Sequence, residues 1–306
     1  MKKTNIVIIA IVAVILIGVG IYYFMNSSST VIPLNNSDVA TTVTKNTVST
    51  TTASTTPVNK TETIIGTSVQ GNPITAYHFG TGTEEVLFVA GIHGGYEWNT
   101  VALAYEAVDY FKANLTAIPS NVKVTIIPVL NPDGLNKTVG TTGRFTEAQV
   151  PTSEAATIPG RYNANTVDLN RNFDCDWKAT GKWQSRTVSG GKEAFSEPES
   201  LAIKNYIAAK NPTAVIVWYS AAGGVYASSC LDGVLSETTK LTNLFAKASG
   251  YPAYKTFDDY AVTGDMVNWL AKENVTAISV LLTNHSDTEF SKNLAGIKAV
   301  LKNYAK

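Results

Sequence analysis

The segment GIHGGYEWNT places His93 and Glu97 four residues apart, beside paired glycines and just after the apolar run VLFVA. An imidazole and a carboxylate so spaced can be two ligands of one metal ion. A catalytic zinc site takes three such N or O ligands and leaves a position open for water. The spacing also suits a plainer role, because a carboxylate in the first turn of a helix interacts favourably with the helix dipole. The chain has 3 histidines, so the other imidazoles are His78 and His285. His78 falls in an early hairpin pattern and reads as a strand residue. His285, in LLTNHSDTEF, follows an apolar run and reads as a loop or helix-start residue, with Asp287 and Glu289 close behind it.

A folded domain has to hold these side chains in place. With 306 residues, 44% of them hydrophobic and 16% charged, the chain can bury a sizeable core. ETIIGTSV and PITAYHF flank the turn signal QGN and predict a β-hairpin. EEVLFVAG, VKVTIIPVL, TAVIVWYS and VTAISVLLT read as short strands, the last two fully buried. NTVALAYEAVDYFKAN has helical periodicity, with Val101, Ala104, Tyr105 and Val108 on one face. SEPESLAIKNYIAAK opens with a capping box of Ser196 and Glu199, and GDMVNWLAKE and the C-terminal tail continue the helical pattern. Strands alternating with helices predict an α/β fold, a mixed and mostly buried β-sheet with helices on both faces. Binding residues in such sheets sit just beyond strand ends. GIHGGYE, NPDG, WYSAAGG and LLTNH all follow predicted strands, so they are expected to converge on one crevice.

Ahead of the domain, MKKTN precedes an uncharged apolar run from Ile6 to Met25, about 20 residues, the thickness of a hydrocarbon core. A cleaved signal peptide would have a shorter apolar region and a small-residue cleavage site. Here NSSST follows, and Tyr22, Tyr23 and Phe24 stand where an interfacial aromatic belt would. Residues 1–25 therefore read as an uncleaved anchor, with Lys2 and Lys3 cytoplasmic. This predicts a single-pass cell-membrane protein whose C-terminal domain is extracytoplasmic. Residues 26–61, rich in Thr and Ser, read as a disordered stalk; extended β-structure is the rival, and Pro57 argues against it. The domain then covers 62–306. Cys175 and Cys230 fall on the outer side, where disulfides persist, and lie in no CxxC or Cys/His cluster, so they are predicted to pair. With 24 basic and 24 acidic residues and no long basic run, nucleic acid is not an expected partner.

GIHGGYEW, NPDG, VDLNRNF, SEPES and YAVTGDMVNW occur in the order found in the zinc metallocarboxypeptidases of the carboxypeptidase A-like M14 family, which the chain resembles over nearly all of the domain. In that family a His and a Glu after one strand and a second His at the end of a later strand hold zinc. The resemblance assigns His93 and Glu97 to the first pair, with three residues between them where the family has two, and Asp168 to the carboxylate that orients the first His. The second His falls at Tyr219, and a tyrosine ligates metal only as phenolate, against an ordinary pKa of about 10. The general-base Glu falls at Leu281, which cannot transfer a proton; losing such a group costs roughly 10²- to 10⁴-fold. Asn170 and Arg171 match the pair that clamps a peptide's terminal carboxylate. Tyr260 matches the mobile tyrosine that covers it, Val267 the position that sets a preference for apolar or aromatic C-terminal side chains, and Arg144 the arginine that polarises the scissile carbonyl. Arg171 in a structural salt bridge and Tyr260 as a packed surface residue are the plainer readings.

The resemblance thus implies zinc as cofactor and peptides or protein C-termini as partners, with removal of C-terminal residues as the activity. The substitutions at Tyr219 and Leu281 point to an inactive or strongly impaired member. The alternatives are a non-catalytic binder of peptide C-termini and a cell-surface structural module.

Overall fold

The computed structural model describes residues 61–306. The anchor expected over 1–25 and the stalk up to residue 60 lie outside the described residues. Among the described residues no helix is long and apolar enough to cross a membrane.

Among the described residues ten strands form: β1 (Glu62–Thr67), β2 (Pro73–Phe79), β3 (Glu84–Val89), β4 (Val122–Ile127), β5 (Thr180–Trp183), β6 (Arg186–Ser189), β7 (Ala214–Ser220), β8 (Gly224–Ala227), β9 (Ala253–Tyr254) and β10 (Ala277–Leu282). The main helices are α1 (Trp98–Ala113), α2 (Pro132–Val139), α3 (Pro198–Lys210), α4 (Ser236–Ser249), α5 (Met266–Lys272) and α6 (Phe290–Asn303). Eight strands make one mixed sheet in the order β1-β2-β4-β3-β7-β10-β8-β9. Its centre, β4-β3-β7-β10, is parallel, and the hairpin β1-β2 and strand β8 are added antiparallel. The central strands are the Val-, Ile- and Leu-rich runs, as expected for strands covered on both faces. β7 and β10 are buried at every position.

Side chains alternate between the faces along each strand. Phe88, Trp218, Val280 and Leu282 pack with α1, α4 and α6 on one side, through residues such as Phe111, Phe245 and Ile297. Leu87, Val89, Tyr219 and Leu281 point to the other side, where α3 and α5 lie with Phe173 and Trp269. Tyr219 and Leu281 are direct neighbours in the parallel β7/β10 register. The two positions that departed from the zinc pattern therefore stand side by side on one face.

Two sequence readings are corrected here. NPDG does not join the crevice. Asn131 caps α2 by accepting from Gly134 N at 2.8 Å, and Asp133 accepts from Ser68 Oγ at 2.6 Å, Asn72 Nδ2 at 2.8 Å and Gln70 N at 3.1 Å. The motif fastens the β1-β2 turn to α2, because the turn leaves donors that a buried carboxylate can accept. Nor does SEPES form a capping box. Glu197 is the N-cap residue, Ser196 Oγ donates to Glu197 Oε1 at 2.9 Å, and Glu199 instead accepts from Val69 N at 3.1 Å. Proline at the first helical position of α3 lets the helix start without that donor. The small β5-β6 hairpin, for which the sequence reading made no assignment, closes over the crevice described next.

Candidate functional site

His93 lies just beyond the end of β3, where the chain enters a single 3-10 turn, Gly94–Glu97, before α1. Gly94 has φ +45°, and a Cβ there would come 2.6 Å from Gly160 O, so the turn requires glycine. The turn accommodates the extra residue between His93 and Glu97 and brings Glu97 back, placing Oε1 2.8 Å from His93 Nδ1. Both side chains are buried. On the far side of the imidazole, Nε2 lies 3.3 Å from Asp168 Oδ1. The expected carboxylate is therefore behind the expected ligand.

Asp168 has no exposed surface, and it accepts from Arg161 Nη2 at 2.8 Å and Nε at 3.0 Å. Burial alone would raise its pKa, but the Arg161 charge, then His93, outweigh burial and hold it well below the usual carboxylate range. Arg161 is the residue the sequence reading missed. It lies under Trp183, with its guanidinium carbon 4.4 Å from the ring centroid, and lines the cavity. Arg144, which the resemblance assigned to polarising the scissile carbonyl, is not in the cavity. It is a half-exposed surface residue gripping Asp109 through Nη1 at 2.9 Å and Nη2 at 2.6 Å. Both arginines sit in polar loop sequence, and only the fold decides which one is buried. The available signal was the carboxylate seven residues after Arg161, which needs a cation once it is buried.

Tyr219 is buried at the end of β7, its ring centroid 5.8 Å from that of His93, and its hydroxyl donates to Asn170 Oδ1 at 3.2 Å. Burial, then the charges of Asp265 and Glu97, raise its pKa well above the ordinary phenol value. The third donor position thus holds a neutral phenol whose proton is engaged with Asn170. Among the described residues no group of three or more His, Cys, Asp or Glu side chains is placed to hold a metal ion. His93 Nε2 and Glu97 Oε2 are buried without a hydrogen-bond partner. Two donors face each other, but the set does not fit a catalytic zinc, and Leu281 presents an alkyl group where a base would stand.

The cavity itself measures about 560 Å³. Arg171, 1% exposed, lines it and has no carboxylate within 4.0 Å among the described residues. Its Nε and Nη2 donate to Lys182 O at 3.0 and 2.7 Å, and Nη1 donates to Asn170 O at 2.6 Å. One N–H on each Nη is left over by this count. The structural salt bridge considered for Arg171 is not present. Asn170 is held in turn: its Nδ2 donates to Asp265 Oδ2 at 2.8 Å, and its Oδ1 accepts from Met266 N at 3.0 Å and from Tyr219. Asp265, also missed by the sequence reading, caps α5 through Asn268 N at 2.9 Å, and burial raises its pKa. Tyr260 packs edge-to-face against Phe257 with centroids 5.1 Å apart, and the Arg171 guanidinium carbon is 5.9 Å from its ring. Val267, on α5, completes an apolar stretch of wall with Leu281.

His285 reaches the cavity without joining His93 and Glu97. Its Nδ1 is 3.0 Å from Ser220 Oγ and its Nε2 is 3.2 Å from Tyr96 Oη, while Ser220 Oγ donates to Asn99 Oδ1 at 3.0 Å. Cys175 and Cys230 are joined by a disulfide, Cα atoms 6.1 Å apart, linking the segment after Arg171 to the end of β8.

Comparison with known proteins agrees with this architecture. The sequence profile of the zinc carboxypeptidase family, peptidase M14, matches residues 49–302, and the chain belongs to that family. A metallocarboxypeptidase A from Arthroderma otae is 30% identical over 234 aligned positions, covering 67% of this chain and 53% of that protein. The bacteriocin BCN5 of Clostridium perfringens is 29% identical over 49% of this chain and 15% of its own length. The chain thus spans about half the length, or less, of these curated relatives. Among solved structures, the murein-tripeptide amidase MpaA of Escherichia coli O157 shares the fold with a TM-score of 0.58 at 21% identity, over 81% of this chain and 94% of its own. Carboxypeptidase A of Helicoverpa armigera gives a TM-score of 0.61 at 20% identity, over 79% and 68%.

Two outcomes follow. After dialysis against buffer with trace zinc, the native protein is expected to retain far less than one zinc per chain, and Tyr219→His to retain close to one; atomic absorption checks this, and a full complement in the native protein would contradict it. The second concerns alkali. Tyr219 is raised, and Tyr226 is pushed up to about 12 by burial and then Asp259, whereas unfolded phenols titrate near 10. The folded state holds these protons longer, so their contribution is intact below about pH 10 and is lost as pH rises through 10 towards the folded values. The urea midpoint should be level from about pH 8 to 9.5 and fall above about pH 10.

Proposed function

We propose that the domain captures peptides through their C-terminal carboxylate and does not cleave them by the zinc-dependent route. The observation that carries this reading is the buried Arg171 guanidinium, which lines the cavity with no carboxylate within 4.0 Å among the described residues, in a site where Tyr219 and Leu281 stand at the expected ligand and base positions. A buried guanidinium without an acidic partner gains most from a carboxylate supplied by the ligand. Asn170, Tyr260 and Val267 line the same space and offer an amide, an aromatic cover and an apolar wall. The family supplies the substrate class, because a carboxypeptidase site is built around a free C-terminus. Hydrolysis needs a metal-activated water and a proton carrier, and neither position holds a suitable side chain.

Fluorescence anisotropy with a peptide library tests this reading. Peptides with free C-termini should bind about 10- to 100-fold more tightly than the same peptides amidated, the worth of a charge-assisted hydrogen bond. Arg171→Ala should remove the difference, and added zinc should release no amino acid. Equal binding of free and amidated peptides, or zinc-dependent release, would overturn the proposal.

We extend the proposal to place: residues 1–25 tether the domain to the cell membrane and residues 26–61 hold it away on the outer side. The apolar run and Lys2 and Lys3 support this. Protease added to intact cells should remove the domain and leave the protein's N-terminal part with the membrane; protection of the domain in intact cells would refute it.

A further inference from the structure

The cluster beneath the cavity contains two buried carboxylates, Glu97 and Asp168, with one guanidinium and one imidazole. In a metal enzyme a divalent cation would offset such carboxylates. Here the only full-time cation among them is Arg161, 2% exposed. Two of its nitrogens hold Asp168, and Nη1 is 3.9 Å from Glu97 Oε1. Trp183 at 4.4 Å and Tyr96 at 5.6 Å cover its faces. A guanidinium so enclosed cannot move out to solvent without carrying its covering hairpin with it.

We propose that Arg161 is the built-in counter-cation of this site, taking over the charge compensation that a metal ion would provide and making the folded domain indifferent to metal. The inference starts from the misfit of the donor set to zinc and concerns the chain's own residues. Coulomb attraction inside a low-dielectric cluster is strong, and a buried carboxylate that loses its cation is far more costly than an exposed one. Arg161 bonds the carboxylate behind His93 and approaches the carboxylate in front of it, so one side chain serves both. Glu97 Oε2, left without a hydrogen bond, is the part of the cluster that Arg161 neutralises only at a distance.

Thermal melts of the full-length chain, with chelator or with equimolar zinc, test the proposal. The native Tm should be the same within about 2 °C in both conditions. Arg161→Gln, which keeps hydrogen-bonding capacity and removes the charge, should melt about 10 °C lower, from the cost of breaking a buried ion pair in a domain of this size. Zinc should raise the Tm of that variant more than that of the native protein. Arg161→Lys should recover part of the loss, and adding Glu97→Gln to Arg161→Gln should recover part of it by removing the uncompensated charge. If Arg161→Gln does not fold, the native melts and the Arg161→Lys variant still decide: a native Tm that drops with chelator, or a lysine variant as unstable as a neutral one, overturns the inference. An Arg161→Gln Tm equal to native overturns it as well. The result is separable from the peptide-binding reading. Loss of the carboxylate preference with metal-indifferent melts would remove that function and leave this inference, whereas zinc stabilising the native protein while peptide binding persists would do the reverse.

Discussion

Asp168 has no solvent-exposed surface, and an ionised carboxylate in that position survives only because Arg161 and His93 contact it from two directions. Much of the site hangs on this arrangement. Asp168 Oδ1 faces His93 Nε2 at 3.3 Å and also helps to hold the turn Leu169–Arg171, since Asn170 N donates to it at 3.1 Å. That turn delivers Asn170 and Arg171 to the cavity. Arg161, held by Asp168, forms the surface on which Trp183 and the β5-β6 hairpin rest. A single buried charge pair therefore helps to place His93, the Asn170–Arg171 turn and the cavity roof.

Sheet geometry explains why the two altered positions act on the same place. Tyr219 and Leu281 are paired across parallel strands and share a face by strand alternation. Tyr219 also has a use of its own: its hydroxyl reaches Asn170, the residue beside Arg171. A histidine there would be shorter than the phenol, leaving Asn170 Oδ1 with Met266 N as its donor. The residue at the expected ligand position thus also buttresses Asn170, beside Arg171.

Much of this was legible in the sequence. The apolar runs that became β3, β7 and β10 had no polar alternation, and strands with both faces covered need none. The order of motifs identified the family, and His93, Glu97, Asp168, Asn170, Arg171, Tyr219, Tyr260, Val267 and Leu281 do gather around one cavity. What failed were contacts between distant segments. The choice between Arg144 and Arg161 depended on which loop folds over α1 and which folds under the hairpin, and local sequence carries no information on that. Asp133 and Glu199 were misread for the same reason: the donors they accept from lie in the β1-β2 turn, 61 to 130 residues away. Asp265 drew no assignment from the sequence, and its bond to Asn170 exists only once α5 packs against the turn that carries Asn170.

The disulfide has a different kind of consequence. Cys175 and Cys230 are 55 residues apart in sequence, and the chain between them carries the roof hairpin, α3 and β7. Closing a loop of that length in the unfolded ensemble removes chain entropy worth about 4 kcal/mol of stability in the simplest treatment. A bound metal stabilises by mass action, so its contribution rises and falls with the concentration of free ion. A covalent cross-link stabilises by a fixed amount as long as it stays oxidised. A domain stapled in this way is buffered against the ionic composition of its surroundings in a way that a metal-stabilised fold is not.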